Sequence, residues 1–350
     1  MTTTFPEPEV EALRGGPVLG WGVIGPGTIA NDFTRTLHAN SDQRVVAVGS
    51  RSAERASAFA ARHGVPGVHD SSEALVADPS VDVVYVASPH PQHLEHALLA
   101  IGAGKHVLVE KPMTTSEADT RTLAAAAREA GVLAMEAMWT RYLPGTTVVA
   151  RLLADGALGD VRSASVDVGW PHDPDPADRM FDPAAGGGAL LDAGVYGHWF
   201  ARFATGAPVT SRTSGTLSER GVDLQSVTVS TAGGGAQAVV TTSITAWTPG
   251  LAVIAGSRAT VRYTDHFVFP ASFALHHRAD ESRWEDPSGL RGRDGLVWQA
   301  AALARYVHDG RTDSPLHSLD DAIGVAAALD AARAALGPAP RVSERVTSTP

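Results

Sequence analysis

The chain contains no cysteine in its 350 residues. Disulfides, thiolate metal ligands and a cysteine nucleophile are excluded together. No apolar run approaches the roughly 20 residues that a membrane-spanning helix needs. The opening stretch MTTTFPEPEVEALRGG lacks the basic start and apolar core of an export signal. A cytoplasmic location is expected from that missing signal and not from the cysteine count. Like charges do not cluster either: 28 Lys and Arg stand against 38 Asp and Glu, a formal net charge of −10. This balance argues against nucleic acid and against an anionic membrane, and leaves a small molecule as the expected partner. No G-x-S-x-G or H-E-x-x-H occurs, and no Lys-Ser/Thr pair follows GGGALL to make a phosphate loop.

What the chain does have is a change of texture near its middle. A length of 350 residues fits two domains, each with its own core. In the first part, VVAVGS, VDVVYVAS and HVLVEK fill consecutive positions with apolar residues, as strands buried on both faces do. Between them SAERASAFAARHG, HLEHALLAIGAGK and SEADTRTLAAAAREAG read as helices that stop at glycine. Such alternation predicts a parallel sheet with right-handed crossovers, and GVLAMEAMW adds one strand more. Further on, VRSASVDVGW leads into a Pro/Asp-rich loop, a helix within GGGALLDAGVYGHWFARFA, and Thr/Val/Ser-rich runs with turns at AGGG and WTPG. Those runs predict a mostly antiparallel sheet, closed by two helices near 295–309 and 319–336. The expected architecture is α/β: an N-terminal Rossmann parallel-sheet domain over 17–140, then a C-terminal α+β domain with an open sheet over 141–336. Residues 1–16 and 337–350 are expected to be flexible tails.

Gly25, Gly27 and Ala30 form G-x-G-x-x-A between a predicted strand and a predicted helix that Thr28 and Ile29 open. Gly25 permits the tight turn, Gly27 lets a pyrophosphate approach the main chain, and Ala30 lets the helix lie close to the strand. The next strand ends in Ser50, Arg51 and Ser52, with Arg55 a turn later and no carboxylate at the tip. Hydroxyls and guanidinium forks suit a ribose phosphate, so NADP(H) is preferred, with NAD(H) as the lesser option. The plainer alternative makes Ser50 or Ser52 a helix cap and leaves both arginines to solvent. Ser88 and His90 end the following strand at the carboxyl edge, where ligands of such sheets bind. His93 is grouped with them as a cofactor contact, although His93 and His96 read more readily as helix-surface residues than as ligands. Glu110, Lys111 and Pro112 occupy the tip of the next strand.

With these motifs in place, the chain resembles the Gfo/Idh/MocA family of nicotinamide-dependent oxidoreductases. GPGTIA, ASPHPQH, AGKHVLVEKPM, MEAMWTRYLP and MFDPAAGGGALLDAGVYGHW occur in the family's order, and SPLHSLDDAIGVAAALDAAR is similar to its closing helix. EAMWTRYLP with GGGALLDAGVY looks most like the subgroup of dimeric dihydrodiol dehydrogenases and NADP-dependent aldose 1-dehydrogenases. The resemblance implies a Rossmann domain followed by a domain whose open sheet pairs copies of the chain into a homodimer or homotetramer. It also implies Lys111 as an active-site lysine, with Asp192 and Tyr196 as the other half of the site. Many relatives have His where this chain has Tyr196, which favours the dihydrodiol and glucose–fructose type over the inositol type.

Spacing agrees with that implication: Asp192 and Tyr196 are i and i+4, hence on one face if the segment is helical. Gly186, Gly187 and Gly188 are expected to bring the chain close to a ligand. The expected reaction is that of a dehydrogenase acting on CH–OH groups of a sugar, cyclic polyol or trans-dihydrodiol. Tyr196 is the candidate base. Lowering a phenol from a pKa of roughly 10 by about three units requires nearby cations, for which Lys111 and the oxidised nicotinamide are candidates. Asp192 is expected to orient the substrate hydroxyl, Glu110 to hold Lys111, and Trp139 and Arg141 to line the substrate side. No metal is expected: His172, Asp173, Asp175 and Asp178 are read as a solvated loop over the pocket. Two rival readings stay open, a non-catalytic NADP(H)-binding regulator and a sugar oxidoreductase whose tightly held cofactor recycles.

Overall fold

The computed structural model describes residues 4–173, 175 and 178–337. Its first half alternates strand and helix: β1 (Gly20–Ile24), α1 (Thr28–Asn40), β2 (Arg44–Gly49), α2 (Ala53–His63), β3 (Gly67–His69), α3 (Ser72–Val76), β4 (Val83–Val86), α4 (His93–Gly102), β5 (His106–Val109), α5 (Glu117–Ala130) and β6 (Ala134–Glu136). The six strands form one all-parallel sheet in the order β3-β2-β1-β4-β5-β6. The order reverses between β1 and β4, so their carboxyl ends open a crevice, the place where ligands of doubly wound sheets bind. Local chemistry sets the helix limits: Ser52 and Ser116 cap α2 and α5, and Gly64 and Gly131 end them in left-handed conformation. The sequence reading missed β3 and α3, which are three and five residues long and carry no long apolar run.

The second half comprises α6 (Pro144–Ala154), β7 (Val161–Gly169), α7 (Val195–Thr205), β8 (Pro208–Leu217), β9 (Asp223–Ala232), β10 (Gln237–Ser243), β11 (Ala252–Gly256), β12 (Thr260–Tyr263), β13 (Ser272–His277), β14 (Asp280–Glu285), α8 (Leu296–His308) and α9 (Leu319–Leu336). Its eight strands run in the order β14-β13-β12-β11-β7-β10-β9-β8. Only the β7–β10 pair is parallel, so the sheet is mixed and mostly antiparallel. α7 lies on β7 and β10, and α9 on β8, covering one face. On the other face Val227, Val229 and Val239 stay substantially exposed.

One hydrophobic core runs through both halves, from Phe33 and Tyr85 by way of Trp139 and Tyr142 to Phe200 and Tyr263. A second, which includes Leu75, Val107 and Leu123, also takes Leu319 and Ile323 of α9. The terminal helix therefore packs back onto the first half. Residues 4–16 are not the free tail expected. Phe5 sits edge-on against Phe273, the Glu9 N–H donates to Thr147 Oγ1 at 3.0 Å, and Arg14 pairs with Asp42 at 3.2 Å. A single aromatic anchor with polar ties on both halves holds this stretch down. Residues 1–3 and 338–350, expected as tails, lie outside the described residues. Among the described residues no helix is long and apolar enough to cross a membrane.

Candidate active site

A cavity of about 870 Å³ opens at the crevice and continues to the second half of the chain. Its first wall is the β1–α1 turn. Gly25 has φ +86°, and a Cβ there would lie 2.7 Å from the Ser88 nitrogen, so the close approach of the two strand ends demands glycine. Gly27 has nothing within 4 Å of its Cβ position, and it leads into α1 without a side-chain cap. The bare turn leaves open space and free N–H groups at a helix N-terminus, the arrangement that accepts a pyrophosphate. Thr28 and Ile29 line the cavity, while Ala30 is fully buried beneath it.

Further along the same wall come Ser50, Arg51, Arg55 and Ser72, with no acidic side chain among them. Among the described residues neither guanidinium forms a salt bridge or a hydrogen bond, so both are free to take an anion. Ser52 does not line the cavity: its hydroxyl accepts the Arg55 N–H at 3.3 Å as the cap of α2. For this residue the plainer alternative holds.

Ser88, His90 and His93 line the cavity floor, His93 with its side chain fully buried. Its ring nitrogens sit 2.9 and 2.8 Å from the carbonyl oxygens of Pro112 and Ser88. His93 is thus a clamp between two loops and not a surface residue. Burial, with His93 and Lys111 as neighbours, drives the His90 pKa down to about 3, so its imidazole is neutral.

At the far end of the floor the two halves meet chemically. Lys111 Nζ donates to the Asp192 carbonyl at 2.8 Å, lies 3.7 Å from the Asp192 carboxylate and stands 4.9 Å from the Tyr196 ring centroid. Burial opposes charge on both Lys111 and Asp192, but their attraction outweighs it: the lysine rises above its ordinary value and the aspartate falls to about 2. Arg179 Nη2 adds a second cation 3.3 Å from Asp192. Glu110 does not reach the Lys111 ammonium. Its carboxylate accepts the Tyr85 O–H and, at 3.2 Å, the Lys111 backbone N–H, so it holds the strand tip instead.

Asp192 lies in a short π-helical segment, Leu190–Gly194, which runs directly into α7 and Tyr196. The glycines before it face the protein and not a ligand. A Cβ at Gly187 would strike the Arg179 carbonyl at 2.5 Å, and one at Gly188 would strike Asp223 at 2.2 Å. Tyr196 Oη accepts the Trp139 indole N–H at 2.8 Å. Burial raises the Tyr196 pKa, and Lys111 offsets only part of it, so the resting phenol is protonated. Burial outweighs the lowering that Lys111 contributes.

Trp139 lines the cavity as expected, whereas Arg141 does not. The Arg141 guanidinium stacks over Phe203 at 5.5 Å, and its Nη1 is buried without a hydrogen bond among the described residues. The sequence reading missed several other lining residues: Trp170, Trp247, His266, Phe269 and, beside α1, Arg293. Phe269 stacks on Trp139 at 6.2 Å and on His266 at 4.6 Å, and Trp247 is 80% exposed at the mouth. The Pro/Asp loop contributes Pro171, His172 and Arg179 to the cavity, while its residues 174, 176 and 177 lie outside the described residues. Among the described residues no group of three or more His, Asp or Glu is placed to hold a metal ion.

Residues 19–138 match the oxidoreductase family with an NAD-binding Rossmann fold, and residues 146–262 match the Gfo/Idh/MocA C-terminal domain. The trans-1,2-dihydrobenzene-1,2-diol dehydrogenase of Danio rerio is 35% identical over 327 residues, covering 91% of this chain and 97% of that protein. The chain belongs to the Gfo/Idh/MocA oxidoreductase family. The enzyme of the same name from Mus musculus is 33% identical, with 91% of this chain and 97% of that one covered. A 3-ketoreductase from Actinomadura kijaniata, solved with NADP and TDP-benzene, is similar at 29% identity and a TM-score of 0.78, covering 91% and 98%. This family membership makes the chain an NAD(P)-dependent oxidoreductase, and the open glycine turn and free helix N-terminus fit such a cofactor.

Proposed function

We propose that this family member uses NADP(H) in preference to NAD(H) and acts on the hydroxyl or carbonyl carbon of a cyclic trans-diol, cyclic polyol or aldose. The observation that carries this reading is the meeting of Lys111, Asp192 and Tyr196 where the nucleotide wall joins an aromatic wall. Residues 17–140 form the cofactor unit of this reading and 141–336 the substrate unit. Arg51 and Arg55, with Ser50, hold the ribose phosphate, since no carboxylate competes for them. Trp247, Phe269 and Trp139 offer ring faces to a flat or cyclic substrate. The dihydrodiol and 3-keto chemistry named for its relatives supports a ring-borne hydroxyl.

A nicotinamide cofactor held along the wall of Gly25, Gly27 and Ser88 would supply the hydride chemistry of the reaction. Tyr196 handles the accompanying proton. It accepts the hydroxyl proton as phenolate when an alcohol is oxidised, and donates from the phenol when a carbonyl is reduced. Lys111, a permanent cation at neutral pH, stabilises negative charge on the substrate oxygen and on the phenolate. Asp192 keeps that cation charged and in place. Oxidation therefore climbs with pH as phenolate accumulates, whereas carbonyl reduction does not. Tyr196→Phe is the test: loss of turnover with cofactor binding retained is expected, and near-normal turnover contradicts the assignment.

A further inference from the structure

Tyr196 Oη receives the indole N–H of Trp139 at 2.8 Å, and among the described residues it has no other hydrogen bond. Indole nitrogen can only donate. The phenol proton must therefore point elsewhere than toward Trp139, and the open direction is the cavity that both residues line. Once the phenol ionises, the same N–H faces an anion, and a hydrogen bond to a charged group is worth more than one to a neutral group. The contact thus favours phenolate over phenol.

The indole is fixed in this position. It is only 5% exposed, and Phe269 stacks on it with an interplanar angle of 18°. Gly295 also lies close: a Cβ there would be 3.3 Å from the indole ring. The neighbouring Thr140 hydroxyl ties this turn to the Val268 carbonyl at 2.6 Å. A donor held by these contacts keeps its direction when substrate enters.

We propose that Trp139 is a positioning residue for proton transfer: its indole N–H aims the Tyr196 hydroxyl at the substrate and stabilises the phenolate, beyond serving as a wall of the pocket. The inference rests on Tyr196 being the proton-transfer group, as proposed above.

The experiment compares pH profiles of kcat/KM for oxidation with NADP⁺ in the parent, Tyr196→Phe, Trp139→Phe, and a protein carrying β-(3-benzothienyl)alanine at position 139. The last keeps the two-ring shape with sulfur in place of N–H, so it answers even where Trp139→Phe fails to fold. Both position-139 variants are expected to move the ascending limb to higher pH by about one to two units. The ultraviolet difference spectrum of the Tyr196 phenolate, taken against matching Tyr196→Phe proteins, is expected to move the same way without substrate. A raised KM with limb and phenolate titration unmoved would make Trp139 only a wall and overturn the inference, leaving the role of Tyr196 intact. Turnover preserved in Tyr196→Phe would overturn both.

Discussion

Lys111, at the tip of β5, donates its ammonium proton to the carbonyl oxygen of Asp192, in the π-helical turn before α7, across 2.8 Å. One residue comes from the parallel sheet and the other from the helix that covers the mixed sheet, so the site exists only where the halves meet. Replacing Lys111 with Met removes the cation while keeping most of the side chain's length. Turnover is expected to fall by about two to four powers of ten, the usual worth of a positioned acid–base or electrostatic group. NADPH binding measured by fluorescence should persist. Loss of both together would mean that Lys111 holds the cofactor and not the reacting oxygen.

The proposed preference for NADP(H) rests on the guanidinium groups of Arg51 and Arg55, which line the cavity. Changing both to Ala is expected to weaken NADP(H) by about tenfold to a hundredfold, the loss of one or two charge-assisted hydrogen bonds. Binding of NAD(H) should change little. Calorimetric titration with both cofactors decides the matter, and equal losses would contradict the assignment.

His198 is buried on α7, its Nε2 lacks a partner among the described residues, and desolvation lowers its pKa to about 4. An unfolded histidine titrates near 6.5, so between those values the unfolded chain binds the extra proton. Stability from this group is complete above pH about 6.5 and is lost as pH falls toward 4, with a slope of at most ~1.4 kcal/mol per pH unit. His198→Leu should flatten the urea-unfolding free energy across that window by up to this slope. An unchanged slope would mean that the imidazole is hydrated in the fold.

The uncovered face of the mixed sheet carries Arg212, Val229, Val239, Ser165 and Val253 in one row across β8, β9, β10, β7 and β11. Val229 and Val239 are 47% and 38% exposed, an apolar band of the kind that marks a contact surface. The proposed occupant is a second copy of the chain, giving a homodimer or homotetramer. Val229→Lys is expected to lower the sedimenting mass toward that of one chain. A parent protein already sedimenting as a single chain contradicts the proposal.

The fold was legible in the sequence where pattern and period suffice. Strands such as VVYV show as unbroken apolar runs because both their faces are covered, and the G-x-G-x-x-A turn shows because its glycines answer a local demand. Lys111, Asp192 and Tyr196 were proposed from motif order, with the i, i+4 spacing of the last two as support, and the fold brings all three to one cavity. Contacts made by loops were not legible. His266 and Phe269 come from the segment between β12 and β13, and Trp247 from the turn before β11, where no periodicity says which way a side chain points. Burial misled in two places. Arg141 was expected on the substrate side beside Trp139, but its flat guanidinium lies on Phe203 in the core. For His93 the alternative of a helix-surface position fails, because the fold brings the Pro112 and Ser88 carbonyls to its ring.

The most direct test of the whole account is the initial rate of nicotinamide reduction with NADP⁺ and with NAD⁺ against a panel of aldoses, inositols and cyclic trans-diols. The account expects turnover on at least one of them, faster with NADP⁺ than with NAD⁺ at limiting cofactor, and none with Tyr196→Phe. Tight NADPH binding with no turnover across the panel would contradict it and favour a cofactor-sensing role.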